Sequence, residues 1–154
     1  HVAGFLVALN QDAAYDSPNF RWFAQRYPRF VYIDRIVVAR GQRGLGLGRV
    51  FYADVTSYAE TRSPVLTCEV FLEPRDDVSL LFHGTSGFVE VGQQVMPAND
   101  RRVALLAKTL CSYPFVADTY LQVNGGHLPD LPWLREREHV QQGAASGTRL
   151  AGGA

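Results

Sequence analysis

The feature that most constrains the fold is a glycine-rich segment, "GQRGLGLG" at residues 41–48. Four of its eight residues are glycine, and Arg40, Arg43 and Arg49 lie within or beside it. The run before it, "FVYIDRIVVA" at residues 30–39, is β-branched and aromatic and predicts a strand. Apolar residues after it recur at helical spacing. A strand, a glycine turn and a helix therefore follow one another in the chain.

This order of elements is suited to binding an anion. The first turn of a helix carries four unpaired N–H donors and a partial positive charge, and glycine lets a phosphate approach them. A hydrogen bond to a charged group contributes about 1.5–3 kcal/mol. The segment is not a Walker A loop, because Leu47 and Gly48 stand where Lys and Ser or Thr are required. Arg49 and Phe51 likewise occupy positions where the dinucleotide-binding fingerprint needs a small residue.

Composition and charge narrow the class of protein. The 154 residues predict one domain, and a hydrophobic content of 47% is enough for a packed core. Fifteen basic and fifteen acidic residues balance, so no net charge favours nucleic acid or an anionic membrane. We find no uninterrupted apolar stretch of about 18 residues and no signal peptide pattern, which predicts a soluble, cytoplasmic protein. Cys68 and Cys111 lie in apolar runs and predict buried thiols rather than a disulfide.

The remaining patterns predict a mixed α/β sheet. The predicted strands are residues 2–9, 30–39, 65–72, 88–96 and 101–110. Helices are expected from residue 47 to Pro64, from a cap at Asp77 to Gly84 or Gly87, and after Pro114. Residues 11–29 form a long connection with one helical turn around residues 21–26, and a connection of this length is usually functional. Residues 97–101, "PANDR", predict a hairpin turn.

Residues 43–48, "RGLGLG", resemble the acyl-CoA pyrophosphate loop of the GNAT N-acetyltransferases, whose pattern is Arg/Gln-x-x-Gly-x-Gly/Ala. A second element of that family, Ala-x-x-x-Tyr-x-x-x-Gly-Phe, is matched by "SLLFHGTSGF" at residues 79–88, with His83 in place of the tyrosine. The resemblance covers about residues 2–110. It implies an α/β (α+β) fold in which helices flank a mixed, mostly antiparallel sheet with a central, splayed parallel strand pair.

The resemblance also implies a domain organisation. Residues 1–112 are expected to form the acetyl-CoA-binding and catalytic core, without the strand, two helices and second strand that open the family fold. Residues 113–140 would be an extension that packs on the core or on a partner, and residues 141–154 a flexible tail. The final hairpin and the segment around Trp133 are candidate surfaces for a homodimer.

The resemblance implies acetyl-CoA as co-substrate and no metal. Backbone amides of the glycine turn would hold the pyrophosphate, and the end of the preceding strand would hold the pantetheine arm. A free amide near Ile36 or Val37 would polarise the acetyl carbonyl. The expected cofactor-binding residues are Ile36, Val37, Val38, Arg43, Gly44, Leu45, Gly46, Leu47, Gly48 and Arg49.

Three residues are candidates for catalysis. His83 suits a general acid, because an ordinary imidazole pKa of about 6.5 lies near working pH, but a histidine at a helix end also caps carbonyl groups. A lysine-like amine must lose a proton before attack, at a cost of about 4–5 kcal/mol. Asp34, beside the expected acetyl site, and Glu69, on the facing strand, are the candidate bases. Either could instead form an ion pair with Arg35.

The segment "YDSPNFRWF" at residues 15–23 is the candidate for acceptor selection. Tyr15, Arg21 and Trp22 would line the mouth of the pocket, and the arginine would favour an acceptor with a carboxylate. The alternative is a packed loop without a binding role. His127 and His139 lack neighbouring ligand residues, so no metal site is predicted.

The sequence therefore predicts an acetyl-CoA-dependent N-acetyltransferase that transfers the acetyl group directly to a primary amine in a ternary complex. The acceptor would be a small-molecule amine or a lysine side chain. Two alternatives stay open, a protein-lysine acetyltransferase and a non-catalytic acyl-CoA-binding or regulatory domain.

Overall fold

A computed structural model describes residues 1–132, which divide into a unit of residues 1–116 and a second unit that begins at residue 117. The strands of the first unit are β1 (Gly4–Asn10), β2 (Val31–Val38), β3 (Val65–Phe71), β4 (Val89–Val95) and β5 (Arg102–Thr109). Its helices are α1 (Pro18–Ala24), α2 (Leu47–Ala59), α3 (Asp77–Thr85) and α4 (Tyr113–Val116), with a 3₁₀ turn at Arg40–Gln42. In the second unit a π-helical turn spans Ala117–Leu121 and a 3₁₀ turn spans Asn124–Gly126.

The five strands form one sheet in the order β1-β2-β3-β5-β4. Only β2 and β3 run parallel, since helix α2 connects them, and every other neighbouring pair is antiparallel. The predicted mixed, mostly antiparallel sheet with a central parallel pair is confirmed.

The parallel pair separates along its length. Val31 pairs with Leu66 and Tyr32 pairs with Thr67, but beyond these two positions β2 pairs only with β1 and β3 only with β5. The two strands therefore diverge toward their carboxyl ends and leave a gap at the centre of the sheet. A bulge in β2 marks the start of this gap, because Asp34 is an extra residue between two residues that pair regularly with β1.

The sheet is covered on both faces. On one face α2 and α3 pack a core that includes Tyr52, Val55 and Phe88. On the other face the connecting segment, residues 11–30, packs an aromatic cluster of Phe20, Phe23, Phe30 and Tyr32, with ring centroids 5.3–6.3 Å apart. The gap between β2 and β3 thus lies between two packed layers.

Several local predictions were wrong in detail. The connecting segment contains a helix, α1, capped by Ser17 and started by Pro18, rather than a turn around residues 21–26. Helix α3 is capped by Asp76, whose Oδ1 accepts the Ser79 amide at 3.0 Å, and not by Asp77. The helix expected after Pro114 is a four-residue α-helix that runs into the π-helical turn.

The thiol prediction holds for one cysteine. Cys68 is buried, as expected, whereas Cys111 is exposed because the chain turns at the end of β5. The predicted tail (residues 141–154), His139 and Trp133 lie outside the described residues, as does the end of the predicted extension. In the described part of the chain, the helices are all too short or too polar to cross a bilayer.

Candidate functional site

The glycine turn exposes its main chain. Gly44 and Gly46 have φ values of 77° and 81°, a left-handed conformation that disfavours other residues, and Gly46 is the N-cap of α2. Within residues 1–132, no acceptor receives a hydrogen bond from the backbone amides of residues 44–48. Five adjacent N–H groups at the start of a helix are therefore available to one anion.

The turn is held at the carboxyl end of β2. The Arg43 side chain donates from Nε to the Val38 carbonyl at 3.2 Å, and the Ala39 amide donates to the Ala3 carbonyl at 2.8 Å. Ile36 and Val37 are partly exposed, at 36% and 41% of their surface. At these residues β2 is not paired with β3, so one edge of β2 faces the gap. The predicted site for an extended, partly apolar ligand therefore lies directly beside the predicted phosphate turn.

His83 is buried on the α2/α3 face. Its Nδ1 lies 2.7 Å from the Ser79 carbonyl, which can only accept, so Nδ1 carries the proton. Its Nε2 lies 2.6 Å from the Tyr52 hydroxyl and therefore accepts from it. Burial lowers the pKa of His83 and favours this neutral form. In this state Nε2 has no proton to donate, and the histidine links α2 to α3.

A cleft of about 310 Å³ lies between α2 and α3 beyond this pair. Two cations, Arg49 and Lys108, lie along it together with several hydroxyl groups. The cleft begins within the first turn of α2, next to the glycine turn.

On the opposite face of the sheet, each carboxylate oxygen of Asp34 has a polar partner. The Tyr15 hydroxyl donates to its Oδ1, and Arg35 Nε lies 2.9 Å from its Oδ2. The hydrogen bond from Tyr15 to Asp34 also raises the pKa of the Tyr15 hydroxyl. Of the two predicted ion pairs with Arg35, the structure contains the one made by Asp34.

Glu69 lies across the gap in a different environment. The Tyr32 hydroxyl lies 2.7 Å and 2.8 Å from its two carboxylate oxygens, and no cation among the described residues pairs with it. Burial raises the pKa of Glu69, and polar contacts from Tyr32 and Asn19 oppose that rise. A carboxylate whose pKa is raised by burial is better matched to accept a proton near neutral pH than an ion-paired one.

Sequence reasoning missed Asn19, which is only 2% exposed. Its Oδ1 accepts from Gln94 Nε2 of strand β4 at 3.0 Å. The only signal for it was its place in the first turn of a helix that the sequence did not predict. A polar side chain buried this fully needs partners, which in this case come from distant strands.

The structure separates the three predicted acceptor-binding residues. Tyr15 reaches Asp34, as described above. The guanidinium of Arg21 lies 2.6 Å from Asp16 on the surface, so it is already paired with a carboxylate of the chain itself. Trp22 packs on Gly92, where a Cβ would lie 2.4 Å from Trp22 Cζ2, and Arg26 stacks 3.6 Å above its ring.

No three His, Cys, Asp or Glu side chains converge as metal ligands in the described part of the chain. No protein-family model and no curated protein sequence matches the chain. Solved structures, in contrast, match its fold.

Three of these structures illustrate the match. Arabidopsis thaliana NAA60 in complex with acetyl-CoA is 13% identical with a TM-score of 0.54, over 70% of this chain and 66% of that one. A GNAT-family acetyltransferase from Streptococcus pneumoniae is 16% identical with a TM-score of 0.52, over 70% and 59%. The ribosomal-protein-S18-alanine N-acetyltransferase from Escherichia coli is 15% identical with a TM-score of 0.50, over 70% and 61%.

The chain thus covers between 59% and 66% of the length of these three structures. At such low identity the likeness concerns the fold, and the roles of individual residues rest on the geometry described above.

Proposed function

Since the chain has the GNAT N-acetyltransferase fold, we propose that it binds acetyl-CoA and transfers the acetyl group to a primary amine by direct attack in a ternary complex. The observation that carries this proposal is the row of amides at residues 44–48, which have no hydrogen-bond acceptor among the described residues and lie beside the gap between β2 and β3. A diphosphate and a thioester arm need these two features next to each other.

The cofactor would be held mainly by main chain. The amides of residues 44–48 would bind the pyrophosphate, and the arginines at positions 43 and 49 would add positive charge nearby. The pantetheine arm would follow the open edge of β2 along Ile36, Val37 and Val38. A β2 amide that faces the gap would polarise the acetyl carbonyl and stabilise the oxyanion that forms when the amine attacks.

Glu69 is the base that the geometry supports best. Glu69 takes one proton from the ammonium group, and the neutral amine nitrogen attacks the carbonyl carbon. The C–S bond then breaks, and the thiolate leaves with the electron pair and takes up the second amine proton. Asp34 is less suited, because the Arg35 guanidinium is already paired with its carboxylate, whereas Glu69 has no cation partner among the described residues. The buried, neutral His83 holds Tyr52 in position in this proposal and does not act as an imidazolium acid.

The acceptor would be a cationic amine rather than an amino acid. Two carboxylates, Asp34 and Glu69, lie at the gap, and Arg21, the residue expected to recognise a substrate carboxylate, is paired with Asp16. An acceptor carrying its own carboxylate next to the amine would meet like charge at this site. Small-molecule amines and lysine side chains both satisfy this requirement.

The test combines binding with turnover. Acetyl-CoA affinity is measured by calorimetry, and thiol release is followed with polyamines, free amino acids and lysine peptides. Thiol release with cationic amines supports the proposal, and release only with lysine peptides would favour a protein-lysine acetyltransferase. Binding without release from any amine would favour a non-catalytic acyl-CoA-binding domain. Absence of binding would contradict the proposal altogether.

A further inference from the structure

We propose that Asn19 and Gln94 are positioning residues for Glu69: Gln94 orients the Asn19 amide, and the Asn19 amide then donates to the Glu69 carboxylate. The inference rests on the proposed role of Glu69 as the base. It assigns a function to the connecting segment, because Asn19 belongs to helix α1.

The orientation of Asn19 follows from its hydrogen bond with Gln94. Gln94 Nε2 donates to Asn19 Oδ1 at 3.0 Å, so the oxygen of the Asn19 amide faces strand β4. The NH₂ group of the same amide then points away from Gln94, and Asn19 is close enough to Glu69 for its amide to lower the pKa of that carboxyl. Asn19 is 2% exposed, and water therefore cannot replace either partner without a rearrangement of α1.

The sheet itself cannot make this connection. Glu69 pairs with Leu105 of β5, and Leu105 pairs with Gly92 of β4, two residues from Gln94 on the same face. The β5 side chains that lie between Glu69 and Gln94 are the apolar Val103 and Leu105. A polar link across β5 has to come from the layer above, and Asn19 supplies it.

The packing of α1 keeps Asn19 over this position. Trp22 lies three residues further along the same helix and packs directly on Gly92, where no side chain larger than hydrogen fits. Phe20 and Phe23 are buried in the aromatic cluster beneath the helix. The helix is thus anchored on both sides of the amide by apolar contacts.

Several groups act on Glu69 besides Asn19. Burial raises its pKa, and the charge of Asp34 on β2 raises it further, whereas the Tyr32 hydroxyl on β2 and the Asn19 amide on α1 lower it. Glu69 also interacts electrostatically with Tyr15 of the connecting segment, Tyr52 of α2 and its neighbour Cys68. Asn19 is therefore one of two uncharged side chains that favour the ionised form, besides a backbone hydrogen bond at Glu69 itself. Loss of its amide should leave Glu69 protonated to higher pH.

The experiment compares four proteins: the natural chain, Asn19→Leu, Gln94→Leu and the control Gln93→Leu. Gln93 is exposed on the same strand and contacts Glu90 instead. Rates are measured with one amine between about pH 5.5 and about pH 8.5, so that ionisation of the amine is common to all four. The Glu69 carboxyl is titrated directly by ¹³C NMR in glutamate-labelled protein, and its signal is identified by its loss in Glu69→Gln.

For Asn19→Leu we expect the acidic limb of the rate profile to move to higher pH. The rate at the acidic end should fall about tenfold, the loss expected for one hydrogen bond to a charged group, with an unchanged plateau. Gln94→Leu should shift the profile in the same direction by less, because the Asn19 amide keeps its donor but loses its fixed orientation. Gln93→Leu should not shift it.

The titration separates this inference from the proposed function. An unmoved Glu69 titration in both Asn19→Leu and Gln94→Leu would overturn the inference, whatever the rates. If Asn19→Leu does not fold, an unmoved titration in Gln94→Leu suffices to overturn it. A shifted titration without turnover in any of the four proteins would support the inference and contradict the role of Glu69 in acetyl transfer.

Discussion

The two faces of the sheet contribute different chemical groups to the gap between β2 and β3. On the α2/α3 face the key groups are backbone amides at residues 44–48, which are exposed because the glycine turn has few side chains. On the α1 face they are side chains, Asp34 and Glu69, each held by a tyrosine hydroxyl. One face presents a local main-chain feature, and the other a network that connects α1, β2, β3 and β4.

This difference determines how sensitive each face of the site is to substitutions elsewhere in the chain. A main-chain site depends on the conformation of a few consecutive residues, so substitutions elsewhere should leave it intact. A side-chain network depends on every element that contributes to it, so distant substitutions such as Gln94→Leu can alter it. The predictions below test whether the two faces can be changed independently.

The largest effect is expected on the α1 face. Glu69→Gln keeps the shape of the side chain and its contact with Tyr32 but removes the proposed base. Turnover should fall by about 10²–10⁴-fold, the range typical for loss of a general base, with acetyl-CoA affinity unchanged. The matched control is Glu90→Gln, at an exposed position on β4. Steady-state kinetics and calorimetry check both, and near-normal turnover in Glu69→Gln would show that the proton leaves by another route.

The next effect is expected on the other face. Gly46→Ala forces a Cβ onto a residue with φ of 81° and adds a methyl group near the open amides. Stability should fall by about 1–2 kcal/mol, and CoA affinity by about tenfold, the loss of one charge-assisted hydrogen bond. Gly41→Ala, at a position with open space and no positive φ, is the control. Chemical unfolding and calorimetry measure the two effects, and equal CoA affinity in both variants would contradict the phosphate role of the turn.

A smaller effect separates the two carboxylates of the α1 face. Asp34→Asn keeps a group that can accept from Tyr15 but removes the charge that pairs with Arg35. Because Asp34 raises the pKa of Glu69, the acidic limb of the rate profile should move to lower pH, with only a few-fold change on the plateau. Measured rates across the pH range decide this, and a loss as large as that of Glu69→Gln would reassign the base to Asp34.

The smallest effect concerns His83 and stability. Burial lowers the pKa of His83 below its value in the unfolded chain. The stabilisation that neutral His83 contributes to the fold is therefore fully present above the unfolded pKa and is lost as the pH falls through the folded pKa. Thermal unfolding should therefore show a steeper loss of stability below about pH 6.5 for the natural chain than for His83→Gln. His127→Gln, at an exposed histidine, is the control and should follow the natural chain.

The α2/α3 face was largely predictable because its signal is local. The turn from Arg43 to Gly48 lies between a strand and a helix in the sequence. The strand lies within one residue of its predicted bounds, and α2 begins at the predicted residue but ends at Ala59, before the predicted end at Pro64. The sequence also placed Asp34 and Glu69 on strands that face each other. It could not say which of them pairs with Arg35, because that depends on where the side chains lie in the folded sheet.

The α1 face was predicted less well, since its contacts join residues far apart in the chain. Asn19 and Gln94 are separated by 75 positions and Tyr32 and Glu69 by 37. Arg21 and Trp22 were chosen for their chemistry as free side chains, but the fold pairs the first with Asp16 and packs the second on Gly92. Nothing in the local sequence pattern distinguishes a tryptophan that binds a ligand from one that packs over a glycine on a strand.

The sequence by itself determined that an open glycine turn follows a buried strand, because φ preferences and residue periodicity act over a few neighbouring residues. Only the tertiary structure decided that Glu69 is partly buried without a cation partner among the described residues while Asp34 is ion-paired, and that Asn19 lies beside Glu69. Burial and charge pairing depend on which distant segments pack together, and these two quantities set the protonation of a carboxylate.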